Sequence, residues 1–297
     1  MKHVVSFSGG RTSAYLCHLM IEKFGKDSVN FIFADTGAEH PKTYDFIKKC
    51  NEYFGFDLIC LRPLYNREKG VGVSYKVVNI DDIGWDLTSI KEQVEIYGNF
   101  TIDRPNCTSK IKSDTLDKFK KDRYPYPVYS WYGMRIDEPR RLKFLNPNKD
   151  LFSKKDPNPK NIKYLAEISN FDKQDILNWW AKMPFDLEIP EHLGNCVFCI
   201  KKSPKKIALA QRDEPELFDE WSEAVTGRHV RLMPGDKFGI GRIYRNWMTP
   251  KNLIGLFSDV DYEDLKDSVY RGKKTDIGGC SESCEAFGQT DMFEELT

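Results

Sequence analysis

The segment Ser8-Gly9-Gly10-Arg11-Thr12-Ser13 constrains the fold of this chain more than any other, because of what stands on either side of it. Before it, residues 4–7 form a short apolar run without helical period, as buried parallel strands do. After it, residues 13–24 place Leu16, Leu19, Met20 and Phe24 at helical spacing, and Gly25 follows as a C-cap. A second apolar run at 31–34 completes a strand, glycine turn, helix, strand unit. The plan then repeats. Pro41 opens a helix whose apolar side carries Tyr44, Phe46, Ile47 and Tyr53, Gly55 closes it, and 58–61 is a third strand. Residues 128–132 supply another. Such alternation predicts an α/β fold: a mainly parallel, twisted sheet with helices on both faces.

Between residues 62 and 100, glycines and short apolar pieces alternate without a period, which predicts an insertion with one helix near 87–96. The stretch 146–160 (NPNKDLFSKKDPNPK) has the composition of an exposed linker. It divides an α/β domain at 1–150 from a smaller, mostly helical, cysteine-bearing region at 160–297, with helices near 172–182, 205–211 and 216–224. Hydrophobic residues at 40% are enough for a folded core, and 45 basic against 45 acidic residues give no global pull towards a polyanion. Lys201, Lys202, Lys205 and Lys206 form a local basic cluster, of the kind usually found on a solvated face. No apolar stretch approaches the length of a membrane span, and MKHVVSFSGG contains no signal-peptide core, so a cytoplasmic protein is expected.

Two glycines ahead of a helix let the backbone approach a ligand closely and aim successive N–H groups, together with the helix N-terminus, at a phosphate. Ser8 and Ser13 add hydroxyl donors. No Gly-Lys-Ser/Thr follows at Walker spacing. The second strand ends in Asp35-Thr36-Gly37, at the carboxyl edge of the sheet where ligands bind in open α/β folds. In Arg104-Pro105-Asn106-Cys107-Thr108-Ser109-Lys110-Ile111-Lys112, a thiol at a helix start has its pKa lowered by the dipole and the neighbouring cations. Gly133-Met134-Arg135-Ile136-Asp137-Glu138-Pro139-Arg140-Arg141 crowds guanidinium forks and carboxylates at one strand end, an arrangement suited to bidentate binding of phosphate or sulfate.

Of eight cysteines, Cys17, Cys50 and Cys60 lie among apolar residues and are assigned to packing. Cys196-x2-Cys199 and Cys280-x3-Cys284 flank an interval of 80 residues, both in glycine-bearing turns that can fold round a metal. Two close pairs make four soft ligands. Their spacing leaves zinc and an iron–sulfur cluster both open.

SGGRTS resembles the SGGxDS signature of pyrophosphatase-loop enzymes, the adenine nucleotide alpha hydrolase superfamily, with Thr12 in place of the usual aspartate. The DTG…HP, CTSKIK and GMRIDEPRR segments resemble elements of phosphoadenosine phosphosulfate (PAPS) reductase-like proteins within it, and Dnd-type phosphorothioation sulfurtransferases are similar too. This resemblance implies that Ser8, Gly9, Gly10, Arg11, Thr12, Ser13, Asp35, Thr36, Gly37 and Gly133 bind ATP or a related adenylate. It implies that Arg135, Arg141, Lys110 and Cys107 serve the chemistry at the α-phosphate, with magnesium accompanying ATP. It tilts the centre at Cys196, Cys199, Cys280 and Cys284 towards [4Fe–4S], with zinc as the alternative and Cys107 as a substitute ligand. A nucleic acid, a sulfur donor or a reductase is an implied partner, and a homodimer is among the open oligomeric states. Sulfonucleotide reductases attack sulfate with a cysteine in a C-terminal tail, and the end here, EAFGQTDMFEELT, has none. Two competing expectations stand beside this one: a true PAPS or adenylyl-sulfate reductase, and a non-catalytic nucleotide- or nucleic-acid-binding module stapled by zinc.

Overall fold

The structure, a computed structural model, describes residues 2–68, 70–125, 128–142, 161–234 and 239–271. β1 (His3–Ser6) passes through the 8–13 loop into α1 (Arg11–Phe24), and the chain returns to β2 (Val29–Ala34). α2 (Pro41–Phe54) starts on proline, where no intrahelical N–H is needed, and ends at Gly55 in the left-handed conformation. β3 (Ile59–Tyr65) follows. The 62–100 insertion holds more than the one expected helix: β4 (Val73–Val78) folds back antiparallel on β3 before α3 (Thr88–Tyr97). After α4 (Asp114–Arg123) come β5 (Tyr129–Tyr132) and, past the linker, β6 (Ile162–Tyr164).

The strand order is β4-β3-β2-β1-β5-β6, and every pairing except β3 with β4 is parallel. Period-two alternation feeds two layers. Val5, Phe31 and Phe33 join residues of α1 and α2 in one core, whereas Val4, Ile32 and Leu61 join Leu116 and Phe119 of α4 in another. Both sheet faces are thereby covered, as parallel strands require. The sheet continues beyond residues 146–160, which lie outside the described residues. β6 lies beside β5, and α5 (Lys173–Trp180), started by a reciprocal Asp172–Asp175 capping box, buries Ile176 and Trp180 in the same core as α1.

Among the described residues that follow, the helices are α6 (Pro204–Asp213), α7 (Pro215–Thr226), α8 (Pro250–Gly255) and α9 (Tyr262–Tyr270). α6 and α7 share a third core with Ile90 and Val94 of α3 and Ile111 of a π-helical turn, Thr108–Ser113. Among the described residues, no helix is long and apolar enough to cross a membrane.

Candidate functional site

β1 delivers the chain to the 8–13 loop at the carboxyl end of the parallel strands. Gly9 has φ +80°, and a Cβ on it would stand 2.9 Å from Ile47 Cδ1, so the turn requires glycine. α1 then begins from Gly10, which brings no side chain to cap it. Its first-turn N–H groups and the positive end of its dipole face the loop, the arrangement that holds anions. The two serines shape this cradle from within. Ser13 Oγ accepts from Ser8 N at 3.1 Å and from Ser8 Oγ at 2.9 Å, and donates to Gly10 O at 2.9 Å.

Arg11 serves the framework. Its guanidinium forks onto Asp186, with Nε to Oδ1 at 2.6 Å and Nη2 to Oδ2 at 2.9 Å, and also donates to Leu187 O. The cation supplied to the loop is instead Arg135, whose Nη1 donates to Thr12 Oγ1 at 3.3 Å. Gly133 makes that approach feasible. A Cβ there would stand 3.0 Å from Ser13 Cα and 3.1 Å from Ser13 N, backbone atoms that cannot give way. Asp137 accepts from Arg135 Nε at 2.8 Å, and buried Glu138 accepts from Arg135 N at 3.0 Å and from Arg141 Nη1 at 2.8 Å. The carboxylates thus fix the two guanidiniums in place. Lys110 is drawn elsewhere: its ammonium lies 2.7 Å from Asp114 Oδ2 and above the Tyr97 ring.

Asp35, at the end of β2, is fully buried and organises the turn that follows. It accepts from Gly37 N at 2.9 Å, from Tyr44 Oη at 3.0 Å and from Arg62 Nε at 2.7 Å. Burial raises its carboxyl above the ordinary range, and the Arg62 guanidinium works against that shift. Gly37, at φ +69°, accepts from Asp86 N and Leu87 N at 3.1 and 3.0 Å, and a Cβ on it would stand 2.6 Å from Asp86 Oδ1. Asp35 and Gly37 therefore act on backbone geometry. Thr36 faces the cysteines.

Cys107, Cys196 and Cys199 line one pocket, together with Thr36, Lys112 and Trp221. The Cys196 turn is stitched to the strand-β2 exit: Glu39 and Cys196 form an isolated β-bridge, and Val197 N donates to Ala38 O at 3.0 Å. Cys196 Sγ donates to Glu39 Oε1 at 3.5 Å and lies 3.7 Å from Thr36 Oγ1, and Lys112 Nζ is 3.6 Å from the same Glu39 oxygen. Lys202, which is buried, holds the turn from below by donating to Val197 O at 2.8 Å and His192 O at 2.7 Å. Cys107 immediately precedes the π-helical turn, a geometry that concentrates at functional sites. Among the described residues, no group of three or more His, Cys, Asp or Glu side chains is gathered into a metal site. Cys280 and Cys284 lie outside the described residues.

Glu39 and Lys112 sit inside the segments the sequence singles out, but nothing in their spacing shows that they meet at Cys196. Asp186 and Trp221 carry no sequence signal at all. Their roles come from contacts across 175 positions in one case and from a cavity wall in the other.

Compared with known proteins, the chain is 43% identical over 295 residues to nin region protein ORF290 of Escherichia phage lambda, covering 97% of this chain and 96% of that one. It is 23% identical over 225 residues to protein MJ0066 of Methanocaldococcus jannaschii, covering 75% of this chain and 41% of that one. The model of the phosphoadenosine phosphosulfate reductase domain matches residues 2–187, which run from β1 through the Asp186 that anchors Arg11. By its six-stranded sheet, its loop and the extent of that match, the chain belongs to the phosphoadenosine phosphosulfate reductase domain family, whose role is one of nucleotide binding.

Proposed function

We propose that the protein is an enzyme that seats the phosphates of ATP or a related adenylate on the 8–13 loop and acts at the α-phosphate, in sulfur-transfer or redox chemistry. The observation that carries this reading is the convergence on one loop of the uncapped α1 N-terminus and Arg135, whose Nη1 stands 3.3 Å from Thr12 Oγ1. Backbone N–H groups would bind the phosphate oxygens, and the Arg135 guanidinium, oriented by Asp137, would offset charge building on them as an acceptor bonds to the α-phosphorus and pyrophosphate departs. Arg141, held by Glu138, is the second cation of that rim. Magnesium accompanies ATP in this scheme.

A thiolate-ligated centre fits the second half of the site. Cys107, Cys196 and Cys199 are three soft donors on one cavity, and Cys280 or Cys284 would supply the fourth. A [4Fe–4S] cluster bound there would supply electrons or carry sulfur. The protein's own contribution is to fix the thiols: Lys202 and the Glu39 bridge hold the Cys196 turn against the segment that follows β2.

Calorimetric titration of anaerobically purified protein with ATP tests the first half. Binding is expected, with Arg135→Ala weakening it about tenfold to a hundredfold, the range of a charge-assisted contact. Protein that binds no adenylate with its metal centre filled overturns the proposal. Iron, sulfide and zinc analysis of the same sample tests the second half. A brown sample with iron and sulfide supports the cluster, and colourless protein with stoichiometric zinc replaces it with a structural metal.

A further inference from the structure

Cys196 and Cys199 share more than a pocket. Cys199 N donates to Cys196 O at 3.1 Å, so residues 196–199 close a β-turn, which keeps its first and last α-carbons within about 7 Å of each other. A disulfide spans about 4.4–6.8 Å between α-carbons, and the turn therefore brings this pair into bonding range. The turn is held from several sides. Glu39 forms a β-bridge with Cys196, Val197 N donates to Ala38 O at 3.0 Å, and buried Lys202 donates to Val197 O at 2.8 Å and to His192 O at 2.7 Å. His192 is itself buried, with its ring nitrogens 2.7 Å from Asp213 Oδ2 and 2.6 Å from Tyr270 Oη, which ties α6 and α9 to the same turn.

The two thiols differ in access. Cys196 is partly exposed, whereas Cys199 is 5% exposed and lines the pocket that both share. Cys17, Cys50 and Cys60 are sealed in the core, and Cys107 reaches the pocket from a separate segment. An accessible thiol three residues ahead of a buried one, in a fixed turn, suits a division of labour: the outer sulfur meets an external disulfide and the inner one displaces what it leaves behind.

We infer that Cys196 and Cys199 form a thiol–disulfide couple whose oxidant is a low-molecular-weight disulfide. The Cys196 sulfur bonds to one sulfur of that disulfide and its partner leaves as a thiol. The Cys199 sulfur then bonds to the Cys196 sulfur, and the second small thiol leaves. Two protein thiols give up two electrons and two protons, and the small disulfide takes up both. The couple needs neither adenylate nor metal. Its oxidised form withdraws two soft donors from the pocket, and that consequence alone rests on the proposed thiolate centre.

The test uses the full chain, stripped of metal and reduced, then incubated with oxidised glutathione, blocked with N-ethylmaleimide and mapped by mass spectrometry. Expected is a peptide holding both Cys196 and Cys199 that is two hydrogens lighter than its reduced form and carries no N-ethylmaleimide, with dithiothreitol restoring both thiols. Cys199→Ser is expected to keep glutathione on Cys196 about tenfold or more longer than wild type, and Cys196→Ser to leave Cys199 without an adduct. The wild-type map decides even where a variant does not fold. Zinc uptake by the oxidised chain is expected to fall about tenfold or more below that of the reduced chain. A reduced chain that takes up no metal would remove the proposed centre and leave the couple standing. Both thiols still open to N-ethylmaleimide after oxidised glutathione, a disulfide joining Cys196 to Cys107 or to any cysteine other than Cys199, or glutathione lodged stably on wild-type Cys196 would each overturn the inference. Equal zinc uptake by fully oxidised and reduced chains would overturn its consequence for the metal.

Discussion

Gly133 shows how far the 8–13 loop depends on a side chain that is missing. Its φ lies outside the left-handed region, so the requirement is steric: an added methyl would stand 3.0 Å from Ser13 Cα. Gly133→Ala must push β5 away from α1 and withdraw Arg135 from Thr12, and it is expected to cost about 1–3 kcal/mol of stability together with most of the ATP affinity. Thermal melts and ATP titration check both. The two arginines near the loop should separate cleanly. Arg11 grips Asp186 at a partly exposed site, so Arg11→Met is expected to lower stability by about 1 kcal/mol and change ATP affinity less than threefold, whereas Arg135→Ala should do the reverse. That division could not be read from the sequence. The six-residue loop, the DTG turn, and Arg135 and Arg141 of GMRIDEPRR were all legible as neighbours, because strand and helix periodicity places them at one edge of the sheet. That Arg11 is held by the framework depends on Asp186, 175 positions away.

At the scale of elements, periodicity revealed what is buried on both sides and hid what is not. β1, β2, β3 and β5 are apolar runs, and α1, α2, α3, α5, α6 and α7 fall close to their expected positions. β4 escaped because it is an edge strand flanked by glycines with Val77 exposed, and β6 because three residues after a linker have no period to read. β6 and α5 matter to the site all the same. Trp180, at the end of α5, is fully buried, packs on Phe46 and Phe185, and donates from Nε1 to Arg11 O at 3.0 Å, so it locks the loop from behind. Trp180→Ala should cost about 3–5 kcal/mol, and Asp172→Ala, which removes only the helix cap, about 1 kcal/mol. Urea unfolding midpoints compare the two. An equal loss from both would mean that α5 contributes helix alone and no buttress.

Across the whole molecule, the described cysteines fall into two populations, and the difference follows from where the sheet is dry. Cys17, Cys50 and Cys60 lie in the core between β-strands and helices α1 and α2, and burial pushes all three thiols up, Cys60 to about 12. Cys107 and Cys196 are partly exposed on the pocket at the strand ends. A thiol titrating near 12 is about one part in ten thousand thiolate at about pH 8, and the thiolate is the form that alkylates. Iodoacetamide applied to native, metal-free protein at that pH is therefore expected to modify Cys107 and Cys196 within minutes and to leave Cys17, Cys50 and Cys60 unlabelled until denaturant is added. Peptide mapping by mass spectrometry reads each position separately. Reconstitution with iron and sulfide, or with zinc, before alkylation should then protect Cys107, Cys196 and Cys199 together. Protection of Cys196 and Cys199 with Cys107 still reactive would remove Cys107 from the ligand set and leave the fourth and third ligands to Cys280 and Cys284.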